Sequence, residues 1–287
     1  MNTIKKIKNI VYGQSEVEYH TADVYLPLNA TDVPMVIAVH GGAYQAGAKE
    51  MYDNWGRYFA ENGIACMSIN YTLATPTKSS YKQIQNDVNQ AIQFVVKNAA
   101  EWNVNPNKIG FVGDSAGAHL GTLASFGDIR SSAKVRFVIC VYGVMDVVEW
   151  YYYTNKTRKD FVVNKLFGNS YETDRDVFES ISPIHLIDNV VKNPMFDTSF
   201  YMIWGEDDKV VIPENQTIPF IKKLEEFDIY HEKKAVPGEG HFWFTKNTED
   251  DDGYFENNLA PEIAPELVNF IFKVTGENKK SDPNSDK

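Results

Sequence analysis

The sequence predicts an α/β protein with a mostly parallel, eight-stranded sheet and helices on both faces. Apolar runs of strand length alternate with helical segments along the chain, which is the pattern of repeated β-α-β units. The run 34–39 is continuously apolar and 64–69 is nearly so, as expected of central strands that helices cover on both faces. No internal repeat or linker interrupts this pattern, so we expect residues 1–276 to form one domain.

The composition of the 287 residues limits which classes of partner we expect the protein to bind. With a formal charge of −11 and no basic stripe interleaved with aromatic residues, the chain is not expected to bind nucleic acid. No run approaches the ~18 apolar residues of a membrane span, and no apolar signal-peptide region follows the N-terminus. Cys66 and Cys140 lie in apolar strand-like runs, where free thiols are the expectation. We therefore expect a cytoplasmic protein that does not bind membranes, and its oligomeric state stays open.

Local patterns place the elements of the first half of the chain. They are strands at 7–12, 17–26, 34–39 and 64–69, and helices at 51–62 and 81–102. Alternation along the second strand favours an antiparallel edge, and Gly63 ends the first helix. The second helix has one buried stripe at helical spacing, formed by Ile84, Val88, Ala91, Ile92, Val95 and Ala99.

The second half continues the alternation around one interruption. Its elements are strands at 108–112, 135–141, 200–204 and 229–236, and helices that begin near 118, 213 and 261. Residues 277–287 are polar and contain proline and serine, so we expect a disordered tail there.

Residues 146–198, before the penultimate strand, break this rhythm and have two interpretations. Trp150-Tyr151-Tyr152-Tyr153 and short helical pieces around 162–167 suit a lid or substrate wall. The alternative is an additional packed helix pair. Under the first interpretation, Trp150 and Tyr151 join Tyr44 as candidates to line the substrate pocket.

The functional prediction centres on the stretch Gly113-Asp114-Ser115-Ala116-Gly117. It lies between a buried strand and a helix of small apolar residues, the context in which G-x-S-x-G forms a nucleophile elbow. We expect the Ser115 hydroxyl to stand above the sheet edge, with the amide of Ala116 directed at a developing oxyanion. The alternative is a glycine-rich turn that only connects strand and helix, so partners elsewhere decide between the two.

A serine nucleophile requires a base, and a carboxylate that orients the base. Among the six histidines, His241 follows the last strand in a glycine-containing loop, where it would lie over the same sheet edge as Ser115. The carboxylate is expected at the end of the preceding strand, where Asp207 and Asp208 both fit. Serine, aspartate and histidine then follow one another in the order typical of an α/β-hydrolase.

The loop His40-Gly41-Gly42-Ala43, after the third strand, is the expected second half of an oxyanion hole. Glycines permit the amides of Gly41 and Gly42 to turn inward because no Cβ is in the way. His40 is expected to support this loop rather than to titrate in catalysis. No cluster of metal ligands is visible in the sequence, and neither a metal nor an organic cofactor is expected.

These motifs together resemble the α/β-hydrolase fold, and within it the hormone-sensitive-lipase-like and related small carboxylesterases of the acetyl esterase type. The likeness extends from about Asp23 to the last helix and is carried by His40-Gly41-Gly42-Ala43-Tyr44, by Gly113-Asp114-Ser115-Ala116-Gly117-Ala118-His119-Leu120, by Gly205-Glu206-Asp207-Asp208 and by Gly240-His241. In such enzymes the triad acid usually stands three residues after the strand-end glycine, which implies Asp208 rather than Asp207. The chain departs from the pattern at Ala43-Tyr44, at Thr72, and in lacking an N-terminal helical cap.

The resemblance implies a serine hydrolase that cleaves small or moderately sized carboxylic esters through an acyl-enzyme on Ser115. The same machinery acts on other acyl substrates, so a formamide of the N-formylkynurenine type, an acetylated or feruloylated carbohydrate and a macrocyclic lactone stay open. A hydrolase fold used as a non-catalytic receptor is the alternative from another class. Such receptors often lose a triad member, whereas every part is present here.

Overall fold

Eight strands form one sheet in the computed structural model, which describes residues 2–13, 20–75, 81–127, 134–157, 170–245 and 260–276. The strands are β1 (Ile4–Val11), β2 (Thr21–Pro27), β3 (Val33–Val39), β4 (Ala65–Ile69), β5 (Val104–Asp114), β6 (Val135–Val141), β7 (Ser199–Gly205) and β8 (His231–Val236). Their order across the sheet is β1-β2-β4-β3-β5-β6-β7-β8. The pairs β1–β2 and β2–β4 are antiparallel and all other pairs are parallel, so the predicted fold class is confirmed.

Helices cover both faces of this sheet. They are α1 (Asp53–Glu61), α2 (Tyr81–Asn98), α3 (Ala116–Phe126), α4 (Val147–Thr157), α5 (Arg175–Glu179), α6 (Pro183–Val190), α7 (Thr217–Glu226) and α8 (Ala260–Thr275). Successive side chains of a strand point to opposite faces. Ile37 and Val39 of β3 accordingly lie in a core with α2, α3 and α7, whereas Val36 and Ala38 lie in a second core with α1 and α8.

The second helix is shorter than the sequence pattern predicts. It ends at Asn98, and β5 begins at Val104. Between them Asn103 has a left-handed φ of 55°, and the Val104 amide donates to the Ala99 carbonyl. Trp102 is buried beyond the end of the helix, where the chain has already turned towards the strand.

The described residues of the 146–198 insertion pack as helices. Trp150 and Tyr151 are 3% and 4% exposed, as the packed-helix interpretation expects, and Tyr152 is the neighbour that is exposed. The Tyr151 ring meets Phe178 edge to face at 5.2 Å, and α6 lies against α3 and α7. The predicted helical pieces at 162–167, the start of the second predicted strand at 17–19 and the predicted tail at 277–287 lie outside the described residues.

None of the helices in the described ranges is long and apolar enough to cross a membrane.

The start of α3 approaches the end of β3 so closely that only glycine fits. A Cβ on Gly117 would lie 1.9 Å from the carbonyl oxygen of Val39 and 2.8 Å from that of His40. This contact brings the G-x-S-x-G turn against the loop that leaves β3, and thereby places the two sequence motifs side by side.

Gly117→Val is therefore expected to destabilise the fold strongly, because backbone atoms cannot move aside as a flexible side chain would. We expect the free energy of unfolding to fall by about 2–3 kcal/mol or more in denaturant titrations. Gly127→Ala is the matched control, since its Cβ would meet no atom of the described residues closer than 3.4 Å. Equal stability of the two variants would contradict the close approach.

Candidate active site

Ser115 occupies a strained turn between β5 and α3. Its φ and ψ are 51° and −115°, a conformation that L-residues rarely adopt. The turn is held because the Ser115 amide donates to the Val141 carbonyl at 2.9 Å and its own carbonyl accepts from the His119 amide at 3.2 Å. The strand–turn–helix context expected of a nucleophile elbow is present.

A continuous chain of hydrogen bonds connects Ser115, His241 and Asp208. His241 Nε2 lies 3.0 Å from Ser115 Oγ, and His241 Nδ1 lies 2.6 Å from Asp208 Oδ2. A carboxylate only accepts, so Nδ1 carries the hydrogen and Nε2 is free to accept the serine proton. The arrangement can therefore generate a serine nucleophile.

Asp208 is the carboxylate that reaches the histidine, as the resemblance implied. Its second oxygen, Oδ1, accepts from the amides of Val210 and Val211 at 2.8 and 3.0 Å, which fixes the side chain in the interior. Asp207 faces the loop with its backbone instead, and its amide donates to the Glu239 carbonyl. This backbone contact depends on Gly205, because a Cβ there would lie 2.3 Å from the Glu239 oxygen.

Two aromatic rings enclose His241, and sequence reasoning missed both. The rings of Tyr142 and Phe242 each have centroids 4.5 Å from the imidazole, and both residues have left-handed φ values. Tyr142 is buried directly after β6, whereas Phe242 is 62% exposed beside the histidine. The only sequence signal for Tyr142 was its position directly after a parallel strand, because the carboxyl ends of such strands surround the site.

The oxyanion loop differs from the prediction at Gly41. The Gly41 amide already donates to Asp114 Oδ1 at 2.9 Å, so it is not the free donor that the motif suggested. Gly42 has a φ of +106°, and Ala43 and Tyr44 follow with left-handed φ values. Within the described part of the chain, no acceptor is assigned to the amides of Gly42 and Ala43.

Asp114 is another residue whose role the sequence did not reveal. The side chain is buried and accepts from the Gly41 amide, from Tyr52 Oη at 2.9 Å and from Thr245 Oγ1 at 3.3 Å. Burial raises the pKa of the carboxyl, and these hydrogen bonds partly offset that rise. Asp114 thus ties the oxyanion loop to the elbow.

His40 packs beneath the same loop, where support rather than titration was expected. Its Nδ1–H donates to the Gly41 carbonyl at 2.7 Å, and its ring stacks on Tyr71 at 4.3 Å. Tyr71 Oη donates to the His40 carbonyl at 3.0 Å. Burial lowers the pKa of His40 to about 4, so the imidazole stays neutral at neutral pH.

The three candidate pocket residues are all buried. Tyr44 donates its hydroxyl towards His119 on α3, and Trp150 and Tyr151 pack inside the helical insertion. Phe242, rather than these three, is the exposed aromatic residue beside His241. Among the described residues no group of three His, Cys, Asp or Glu side chains is placed to hold a metal ion.

Comparisons with known proteins agree with this fold. Residues 22–224 match the protein-family model BD-FAE. The isoprenylcysteine α-carbonyl methylesterase ICME of Arabidopsis thaliana is 25% identical over 91% of this chain and 67% of its own length. A probable isoprenylcysteine α-carbonyl methylesterase of Oryza sativa subsp. japonica, ICMEL1, is 35% identical, but over 39% of this chain and only 26% of that protein.

A solved structure extends the similarity to the three-dimensional fold. A truncated carbohydrate esterase from gut microbiota superposes with a TM-score of 0.75 at 22% identity, covering 95% of this chain and 97% of that one. The expected α/β-hydrolase fold and esterase family are confirmed by these matches.

The two buried histidines near the site predict a pH-dependent stability. Burial lowers the pKa of His40 and of His119 to about 4, from an ordinary value of 6.5. Between these values the unfolded chain binds protons that the folded chain does not, so the fold loses stability as the pH falls. We expect the free energy of unfolding to decrease from about pH 6.5 to about pH 4, by up to ~1.4 kcal/mol per pH unit for each histidine.

Denaturant unfolding of the wild type and of His40→Gln across this range measures the effect. The two proteins share all other titrating groups. The difference between their slopes of unfolding free energy against pH therefore gives the contribution of His40 alone. The variant is expected to lose stability less steeply, and identical slopes would contradict a neutral, buried His40.

Proposed function

The chain belongs to the BD-FAE family of α/β-hydrolases, and we propose that it is a serine carboxylesterase acting on small or moderately sized esters. The observation that carries the proposal is the unbroken hydrogen-bonded chain from Ser115 Oγ through His241 to Asp208. The matched region is a minor part of the rice relative and two thirds of the Arabidopsis one, so the activity rests on this site rather than on those names.

Acylation begins with His241 as general base. Nε2 accepts the proton of Ser115 Oγ as that oxygen attacks the ester carbonyl carbon. The imidazolium then returns the proton to the leaving alcohol when the carbon–oxygen bond breaks, which leaves an acyl group on the serine. Asp208 accepts the Nδ1 hydrogen throughout, fixes the tautomer and stabilises the positive charge.

The negative charge on the carbonyl oxygen needs donors that are not otherwise engaged. Ala116 supplies one from the first turn of α3, where the helix dipole also favours negative charge. Because the Gly41 amide is held by Asp114, the loop donors in this proposal are Gly42 and its neighbour Ala43. Gly41 instead becomes the residue that anchors the loop.

Deacylation repeats the sequence with water. His241 removes a proton from the water molecule, the resulting nucleophile attacks the acyl-enzyme, and the serine leaves as the proton returns to Oγ. No step in this cycle requires a group beyond the residues named. The same cycle operates on a formamide, a carbohydrate acyl ester or a lactone, so substrate assays must separate these.

Ser115→Ala tests the proposed nucleophile. We expect the wild type to hydrolyse p-nitrophenyl acetate and butyrate and the variant to lose about 10⁴-fold or more in kcat. p-Nitrophenyl octanoate and N-formylkynurenine complete the series, and a fluorophosphonate probe should label the wild type alone.

A folded wild type that the probe does not label would favour the non-catalytic receptor. If N-formylkynurenine exceeds the esters by orders of magnitude in kcat/KM, the formamidase assignment replaces the esterase.

Asp208→Asn tests the orienting carboxylate, with Asp207→Asn as the matched control one residue away. An asparagine at 208 can present its amide to His241 and favour the wrong tautomer, so we expect kcat to fall by about 10³–10⁴-fold. Asp207→Asn should remain within about twofold of the wild type, because its carboxylate takes no part in the triad. A comparable loss in both variants would show that the assignment of Asp208 is wrong.

A further inference from the structure

Tyr44 and His119 form a buried hydrogen-bonded pair behind the oxyanion loop. Tyr44 Oη lies 2.7 Å from His119 Nδ1, and His119 Nε2 lies 2.7 Å from the carbonyl oxygen of Ile181. Both side chains are almost completely buried, and their rings meet edge to face with centroids 5.7 Å apart. These contacts join the oxyanion loop, the elbow helix α3 and the segment that precedes α6.

The direction of each hydrogen bond follows from the partners. A carbonyl oxygen only accepts, so His119 Nε2 carries the hydrogen and Nδ1 carries a lone pair. The Tyr44 hydroxyl must therefore donate to Nδ1. Burial lowers the pKa of His119 to about 4, so the imidazole remains neutral in this one tautomer at neutral pH. The hydrogen bond between Tyr44 and His119 therefore keeps the same direction at neutral pH.

The far end of this connection is anchored to the segment that follows β6. Ser182, adjacent to Ile181, accepts a hydrogen bond from the Val147 amide at 3.0 Å. The Ile184 amide donates to the Met145 carbonyl at 3.0 Å. Both partners follow β6 closely in the chain, so the carbonyl that holds the imidazole is itself held in place.

The near end of the connection is a strained turn. Ala43 and Tyr44 have φ values of 52° and 64°, a region that is unfavourable for residues with a Cβ. The turn is stabilised by the Ala74 amide, which donates to the Tyr44 carbonyl at 2.7 Å, and by the hydroxyl contact described above. It directly follows Gly42, so any relaxation would move the amides that the mechanism uses.

We infer that Tyr44 is a positioning residue for the oxyanion hole, held by its hydrogen bond to His119, and that this bond directs the amides of Gly42 and Ala43 at the reacting carbonyl. The inference rests on the proposed esterase activity. A displacement of ~1 Å at such a site costs about 10²-fold in rate. Because these amides act on charge that develops in the transition state, the loss falls on kcat rather than on KM.

Tyr44→Phe tests the inference by removing only the hydroxyl. We expect kcat on p-nitrophenyl acetate to fall by about 10- to 100-fold with KM within about twofold. The affinity for an alkylboronic acid, which forms a tetrahedral adduct on serine, should fall by the same factor. Tyr12→Phe is the matched control, because Tyr12 lies in the same core and its hydroxyl also donates a hydrogen bond, partly buried and 2.6 Å long, to the Asn70 carbonyl. It should keep the wild-type kcat.

Two substitutions of His119 separate its two hydrogen bonds. The amide of asparagine reaches the position of Nδ1, and the amide of glutamine reaches that of Nε2. His119→Asn can still accept from Tyr44, so its kcat should stay within a few fold of the wild type. His119→Gln can still donate to Ile181 but offers Tyr44 no acceptor, so it should lose kcat as Tyr44→Phe does.

Equal kcat in Tyr44→Phe and Tyr12→Phe would overturn the inference, and so would equal losses in His119→Asn and His119→Gln. The His119 pair decides the question if Tyr44→Phe does not fold. Retention of activity by Ser115→Ala would refute the proposed function instead, so the two failures are distinguishable.

Discussion

The buried carboxylate of Asp114 is the contact on which the geometry of the site depends. It accepts hydrogen bonds from the loop after β3, from the turn before α1 and from the loop after β8, through Gly41, Tyr52 and Thr245. A buried carboxylate without hydrogen-bond donors would cost several kcal/mol of folding free energy. The fold is therefore most stable when all three donors stay on Asp114. Because Asp114 precedes Ser115, this one group fixes the loop after β3 and the loop of His241 relative to the proposed nucleophile.

Backbone strain is concentrated around the same point. Ala43, Tyr44, Ser115, Tyr142 and Phe242 all have left-handed φ values in the described structure, and each lies in or beside the site. Such conformations persist only where the surroundings impose them. Parallel strands on either side of β5, and the glycines at 117 and 205 that permit close backbone contact, supply that constraint. The loops that carry the proposed reacting groups are consequently held against the edge of the sheet.

The sequence was sufficient for the architecture, and it singled out the three side chains that the structure joins by hydrogen bonds. Strand runs and the order of Ser115, Asp208 and His241 depend on local patterns and on a sheet edge that parallel strands share, and both can be inferred without coordinates. The sequence did not predict the role of a residue where that role depends on a partner far away in the chain. Gly41 looked like an oxyanion donor because nothing local reveals that Asp114, 73 positions later, engages its amide.

The aromatic residues of the insertion illustrate the same limit. Trp150 and Tyr151 resemble a substrate wall in a linear sequence, yet in the structure they fill the space between helices. Phe242 lies exposed beside His241 instead, although no periodic pattern singles it out. An aromatic residue in a sequence can be buried or exposed, and tertiary contacts decide which. The sequence alone therefore does not separate a packed helix from a substrate wall.

A crystal structure of the wild type after reaction with an alkylphosphonate tests the central claim most directly. The phosphonyl oxygen on Ser115 marks the position of the oxyanion, and we expect it within about 2.7–3.1 Å of the amides of Ala116 and Gly42. The Gly41 amide should still contact Asp114. An adduct in which Gly41 has left Asp114 and donates to the phosphonyl oxygen would contradict the account, because the loop would then not be fixed before substrate binds.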